Sequence, residues 1–439
     1  MAWRYYTSPR AIFKTGLPSS NRISRFSGPK ECGMMEGMKA LFLTNEYPPY
    51  IYGGAGVHVD YLSRALSKRC EVEIRCFGDQ KHRKKNLNAM GIRLNNRRYT
   101  APGPLQIVFG AMQRCVDFNT RNVDADIVHA HTWYTHFGGI LAKLCYSIPL
   151  VITTHSLEPL RPWKREQLTG GYDFTCWIEK MAIEMADAIV AVSGEAKKDI
   201  LRLFDVDPKK IHIIYNGVDP EEYRPVRNPA KLKRFGIDPS KPYVLFVGRI
   251  TRQKGIIHLV NAIKYMNPGF QVVLCAGAPD TKAIGNEMAA RVAKVRKTRE
   301  GVIWISEMLD VPTKVALYSH ADLFCCPSIY EPFGIINLEA MACETPVVAT
   351  AVGGIKEVVA HGKTGLLVPI RQKKTSPFEP LQPEQFSKNL AHRINRLMAN
   401  KSLRLKMGKA GRRRALDIFS WKAIAKQHYD LYRSLICKK

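Results

Sequence analysis

The chain has 439 residues, of which 46% are apolar, so it can build two or three ordinary domains with sizeable cores. No apolar run approaches the roughly 20 residues of a membrane helix, because charges or prolines interrupt each one. The formal charge of +29 favours anionic partners, but no zinc-finger signature and no basic platform interleaved with aromatics accompanies it, so no specific nucleic-acid partner is expected.

Eleven cysteines, an odd number without a Cys-x-x-Cys pair, sit partly in apolar stretches such as VVLCAGAP. They read as reduced, buried thiols of a cytoplasmic protein, not as a disulfide framework or a zinc site. Residues 1–37 carry six basic and two acidic residues and resemble a targeting peptide without an apolar signal core. They are read as a disordered extension, or as sequence upstream of a working start at Met38.

From Met38 the pattern alternates strand and helix. KALFLT is an apolar strand that ends in the polar loop NEYPPYIYGGAG. A helix follows, with Val59, Leu62, Leu66 and Arg69 at helical spacing. EVEIRCF, ADIVHAH, PLVITTH and DAIVAVS are further strands, with FGGILAKLCY and CWIEKMAIEMA as helices between them. Such alternation argues for a parallel sheet covered on both faces. This first unit spans 38–220; the stretch YNGVDPEEYRPVRNPAKLKRFGIDPSKP, rich in Pro, Asn, Asp and Gly, marks a break, with the linker at 221–240. The alternation restarts at YVLFVGRI and runs to GLLVP, giving a second unit over 241–415. A final helix, 416–439, can cross back to the first unit. Basic runs such as KHRKK from Lys81, NNRRY from Asn95 and GRRR from Gly411 are read as solvated surface.

In open parallel sheets, ligands bind beyond the carboxyl ends of the strands, and two such units facing each other enclose a cleft. The polar residues after each strand are therefore the candidates. Arg249 and Lys254 in GRITRQKG could place a planar fork and a point charge near one diphosphate. The loop YGGAGVHV, with Gly53 and Gly54, is either a tight turn or a phosphate cradle at a helix start. His155 ends a strand beside Ser156 and Glu158. His129 and His131 alternate on the preceding strand, and no histidine or cysteine set has zinc-like spacing. Glu331 and Glu339 stand eight apart in YEPFGIINLEAMA. They could be an acid/base pair, a grip on an uncharged ligand, or the wet face of a helix.

SIYEPFGIINLEAMACETPVVATAVGGIKEVV resembles the Glu-x7-Glu segment of retaining GT-B glycosyltransferases, and GRITRQKG, YGGAGVHV and YNGVD occur in matching order. HSLEPLRPWKREQLTGGYDFTCWIEKMAIEMADAIVAVS is similar to the bacterial glycogen synthase and α-maltose-1-phosphate synthase group of family four. The resemblance covers about residues 38–435. It implies an α/β GT-B fold of two Rossmann-like domains. The implied activity is retaining glucosyl transfer from a nucleotide sugar, ADP-glucose, to an α-1,4-glucan or to glucose 1-phosphate. The alternative reading is a related GT-B transferase acting on a lipid or small-molecule acceptor, and a third, resting on charge alone, is a non-enzymatic nucleic-acid-binding protein. The resemblance further implies that Arg249 and Lys254 bind the donor diphosphate and that Gly53 and Gly54 approach it from the other domain. By the same resemblance Glu331, His155 and the backbone of Phe333, Gly334, Ile335 and Ile336 hold glucose and phosphate, Glu339 holds the ribose, and Asn216 lies near donor or acceptor. No cofactor and no metal are implied. Thr132 stands where the larger starch synthase family carries an acid, so that residue's role does not transfer.

Overall fold

The computed structural model describes residues 37–94, 101–277, 279–375 and 377–437. The extension before Gly37 and the basic run from Asn95 lie outside the described residues. The first unit holds eight strands: β1 Lys39–Thr44, β2 Glu71–Phe77, β3 Lys81–Lys84, β4 Leu87–Ile92, β5 Ile127–His131, β6 Leu150–Thr154, β7 Ala188–Ala191 and β8 Ile211–Ile213. Their order is β3-β4-β2-β1-β5-β6-β7-β8, parallel throughout except for β3 against β4. The second unit holds β9 Tyr243–Arg249, β10 Gln271–Gly277, β11 Val302–Ile305, β12 Leu323–Cys326, β13 Val347–Thr350 and β14 Gly365–Val368. These run parallel in the order β11-β10-β9-β12-β13-β14, the doubly wound arrangement.

The strands are nearly continuous apolar runs because helices cover both faces of each sheet. Every residue of β6, β7 and β12 is buried. Along β9, Val244 and Phe246 pack into one core cluster while Leu245 and Val247 face another. KHRK forms β3, an exposed edge strand whose charges discourage pairing with another chain. The helix Gly103–Asn119 was not singled out in the sequence, because its apolar face starts directly after a Pro- and Gly-rich entry that reads as loop. No disulfide joins the described cysteines, and most of them are buried.

In both sheets the winding direction reverses, between β1 and β5 and between β9 and β12. The loops leaving those four strands carry Glu46 to Gly54, Thr132, Arg249 to Lys254, and Ser328 to Glu331. The chain passes from one unit to the other twice, and the passages touch: the Val218 amide donates to the Phe419 carbonyl at 2.8 Å. After that second passage the helix Trp421–Ile436 lies on the helix Gly54–Leu66 of the first unit. There the Trp421 ring stacks on Tyr61 with centroids 5.8 Å apart and planes 8° apart. Between the units Tyr215 stacks on Phe333 with centroids 5.8 Å apart, and Phe419 meets both rings at a steeper angle, so the apolar core is continuous from one unit into the other.

Trp421 is 6% exposed and wedged against Gly217 and Tyr61. Trp421→Ala is expected to lower unfolding stability by about 3–5 kcal/mol, read by urea denaturation. An unchanged midpoint would show that the final helix is anchored elsewhere.

Candidate active site

The site centres on two loops that leave adjacent strands. After β9 the chain turns at Gly255, where φ is +62° and a Cβ would stand 2.0 Å from the Pro327 carbonyl oxygen. Only glycine allows that approach, which presses the Lys254 loop onto the loop after β12. Lys254 Nζ then reaches Glu331 Oε2 at 2.6 Å, and Ser328 Oγ donates to the same oxygen at 3.3 Å. Glu331 is 7% exposed. Its backbone is pinned from the other side by Gly353, where φ is +47° and a Cβ would lie 1.9 Å from the Glu331 carbonyl oxygen.

Arg249 donates through Nη1 to Asp280 Oδ1 at 2.7 Å and to the Tyr52 hydroxyl at 2.6 Å. Its guanidinium also lies 4.6 Å from the centre of the Tyr52 ring. Tyr52 belongs to the first unit, so this contact bridges the cleft. The next residues meet the second unit as well: a Cβ on Gly54 would be 3.6 Å from Ile335 Cδ1. The amides of Tyr52 and Gly53 donate to Glu46 Oε2 at 2.8 and 2.7 Å. The glycine loop is thus an anion cradle that an internal carboxylate occupies.

Ile335 opens the helix Ile335–Ala342 after Gly334, whose φ is +98°. Its first amides, those of Ile335 and Ile336, have no acceptor within the helix, and the Ile335 side chain lies against Gly54. The Phe333 ring is committed to the core between the units. Glu339 is 5% exposed, and its two oxygens accept from the hydroxyls of Tyr223 at 3.1 Å and Tyr318 at 2.8 Å. Burial first, and then the Glu339 charge, pushes both phenols well above their ordinary range, so they remain donors. A carboxylate has about four acceptor positions, so two remain for further hydroxyls.

On the first unit, His155 Nε2 lies 3.1 Å from His131 Nδ1, and His58 Nδ1 lies 2.6 Å from Asn216 Oδ1. Asn216 is buried, its side-chain oxygen taken up by His58. Burial brings His155 down to about 3, with neighbouring His428 adding to the effect, so the imidazole is neutral at physiological pH. His58, His131 and His155 each offer a ring nitrogen, all within 4.8 Å of one another. The sequence shows no zinc-like spacing, and the set arises from tertiary packing instead. Sequence spacing could not show this set, because a helix, β5 and the end of β6 each supply one member. Three neutral imidazoles suit zinc or a similar ion, although His131 and His155 already bond each other. Thr132, with φ of +66°, donates to Asn45 Oδ1 at 2.9 Å.

The structure therefore brings Lys254 to Glu331, Arg249 to the Gly53 loop, and Gly54 to the start of the Ile335 helix. Glu46, Tyr52, Asp280, Tyr223 and Tyr318 were not picked out in the sequence. Glu46 and Tyr52 lay in a loop already marked as polar and strand-terminal, but the tyrosine partners of Glu339 carry no local signal.

Residues 52–222 match the model of glycosyltransferase family 4, and residues 228–376 that of the glycosyl transferases group 1. The chain belongs to the family-four glycosyltransferases and is an enzyme with the GT-B fold. It is 43% identical over 407 residues to the alpha-maltose-1-phosphate synthase of Mycolicibacterium smegmatis, covering 91% of this chain and 100% of that protein. Identity to the protein of the same description from Mycobacterium tuberculosis is 43% over 402 residues, again 91% of this chain and 100% of the relative. Among solved structures, the sucrose-phosphate synthase of Thermosynechococcus elongatus superposes with a TM-score of 0.74 at 24% identity, covering 91% of this chain and all of that one.

Two outcomes follow from this geometry. Gly353→Ala is expected to displace Glu331 and abolish most turnover while the protein stays folded by circular dichroism; wild-type rates would show that Glu331 needs no such clamp. Burial also depresses His58, His129, His131, His136 (to about 3) and His428 (to about 4). These imidazoles are neutral when folded and take up protons when unfolded below about 6.5, so acid favours the unfolded chain. Stability should be full above about pH 6.5 and fall by about 1.4 kcal/mol per pH unit for each histidine below it. Urea denaturation at a series of pH values reads this; equal stability at pH 7 and pH 5 would contradict it.

Proposed function

We infer that the enzyme transfers glucose from ADP-glucose to glucose 1-phosphate with retention, giving α-maltose 1-phosphate and ADP. The observation that carries this reading is the 43% identity along the full length of two relatives described as alpha-maltose-1-phosphate synthases. The site supports it. Arg249 and Lys254 stand where two cations can take the charge that develops on a departing diphosphate. Glu331 is held against Lys254, placed to accept from glucose hydroxyls once the lysine turns to the phosphate. Glu339, a buried acceptor among hydroxyl donors, suits the ribose. In the transfer, the bond from C1 to the diphosphate oxygen breaks and a bond from C1 to the acceptor O4 forms on the same face. The acceptor proton leaves with the diphosphate. His155, neutral, contacts the sugar through hydrogen bonds and adds no charge of its own. The reading needs no cofactor, and it places the enzyme in cytoplasmic glucan metabolism.

A donor-by-acceptor assay tests it. ADP-glucose and UDP-glucose are each offered with glucose 1-phosphate or glycogen, and products are identified by mass and anomeric NMR signals. Maltose 1-phosphate formed fastest from ADP-glucose is the expected result. Elongated glycogen without maltose 1-phosphate would move the acceptor to the glucan. Absence of turnover with every pair would overturn the reading. Lys254→Ala and Glu331→Ala should each lower kcat by a factor on the order of 10²–10³ without unfolding the protein; unchanged rates would refute the assigned roles.

A further inference from the structure

Three histidines from three different elements of the first unit converge at the wall of the cleft. His58 lies on the helix Gly54–Leu66, His131 ends β5, and His155 directly follows β6. One ring nitrogen of each lies within 4.8 Å of those of the other two. His58 and His131 are fully buried, and Nε2 of each has no hydrogen-bond partner. A buried polar atom left so forgoes about 1–3 kcal/mol, a loss that a bound ion makes good.

The hydrogen bonds around the set decide which nitrogens are bare. The Asn216 side-chain oxygen can only accept, so His58 Nδ1 donates to it at 2.6 Å and His58 Nε2 carries a lone pair. A metal-binding histidine characteristically gives its other N–H to such an acceptor, which fixes the ring. His131 Nδ1 and His155 Nε2 face each other at 3.1 Å with one hydrogen between them. Nitrogens bound at about 2.0–2.1 Å to a tetrahedral zinc stand about 3.3 Å apart, so this edge already has nearly the right length. The other separations need to close by at most about 1.5 Å. When an ion takes both lone pairs, the shared hydrogen moves to the outer nitrogen of one ring and no proton is released. His129, with its ring centre 4.2 Å from that of His131, is excluded as a ligand, because Tyr432 at 2.6 Å and Thr153 at 2.7 Å take its two nitrogens. Thr154 and Ser156, on either side of His155, line a cavity between the units, which gives an ion its way in and leaves a fourth position for water.

We propose that His58, His131 and His155 form a site for zinc or a similar divalent transition metal, and that its occupation stops turnover. Imidazole nitrogens select such ions over magnesium and calcium, which take oxygen. Binding is independent of the proposed function, and only the loss of turnover rests on it. On that reading His155 meets the donor sugar through hydrogen bonds. With its lone pair on zinc, Nε2 no longer accepts one. A dication beside C1 also opposes the positive charge that builds there as the diphosphate leaves.

Metal titrations of the chain freed of metal by EDTA test this. Cobalt(II) should bind at one ion per chain and give the intense visible absorption of a four-coordinate nitrogen site, without the near-ultraviolet band of a cobalt thiolate, and zinc should displace it. Zinc should abolish turnover in step with occupancy and EDTA should restore it, whereas magnesium at the same concentration should have no effect. Asn216→Ala, which frees the His58 ring, should weaken zinc about 10–100-fold, and His58→Gln by at least as much. Turnover that remains in His58→Gln should resist zinc at concentrations that silence the wild type. Replacing the exposed Cys145 and Cys437 with serine should change none of this. Should His58→Gln fail to fold, the wild-type cobalt spectrum and Asn216→Ala decide. A wild-type chain that takes up no zinc, a thiolate spectrum, zinc affinity unchanged in the variants, inhibition by magnesium as well, or full turnover with zinc bound overturns the inference. A chain that binds zinc in this way but turns over another donor or acceptor overturns the proposed function alone.

Discussion

A lysine leaving one central strand and a carboxylate leaving its neighbour meet at 2.6 Å, both largely buried. Such a pair adds little to the fold. Removing two charges from water costs several kcal/mol each, and their mutual attraction roughly offsets that loss. Apolar residues of similar size would serve packing as well. What the pair does provide is two opposite charges, each able to exchange its partner for a ligand group of the right sign. On the proposed reading, diphosphate takes the lysine and sugar hydroxyls take the carboxylate.

Much of the surrounding architecture keeps that pair in register. Gly255 and Gly353 let backbone approach backbone on either side of it. The reversal of winding between β9 and β12 opens the crevice into which both loops project, and the reversal between β1 and β5 does the same opposite. The final helix returns to the first unit, where Tyr432 reaches His129 Nδ1 at 2.6 Å, so the wall behind His155 is built partly from the end of the chain. The carboxylate of Glu46 in the glycine loop follows the same logic as the Lys254 pair. On the proposed reading, the loop that meets the donor diphosphate holds one of the protein's own carboxylates until the ligand displaces it.

The parallel α/β grammar and the two units were legible because buried parallel strands are apolar runs bounded by polar loops. The positions of Arg249, Lys254, Glu331 and the glycine loop were legible for the same reason, since each directly follows such a run. Their partners were not. Tyr223 and Tyr318 lie 116 and 21 residues from Glu339, and nothing local marks them as its donors. The histidine group joins His58, His131 and His155 through tertiary packing alone. The edge strand β3 reads as a charged loop, because an exposed edge has no apolar face to announce it.

The central claim is that the Lys254–Glu331 pair opens onto the donor. A crystal structure with bound ADP-glucose tests it most directly. The account predicts Lys254 Nζ within hydrogen-bond distance of a diphosphate oxygen and Glu331 on the glucose hydroxyls, with the contact between them lengthened or shared. A nucleotide sugar bound in the cleft while Lys254 and Glu331 remain paired only with each other would contradict it.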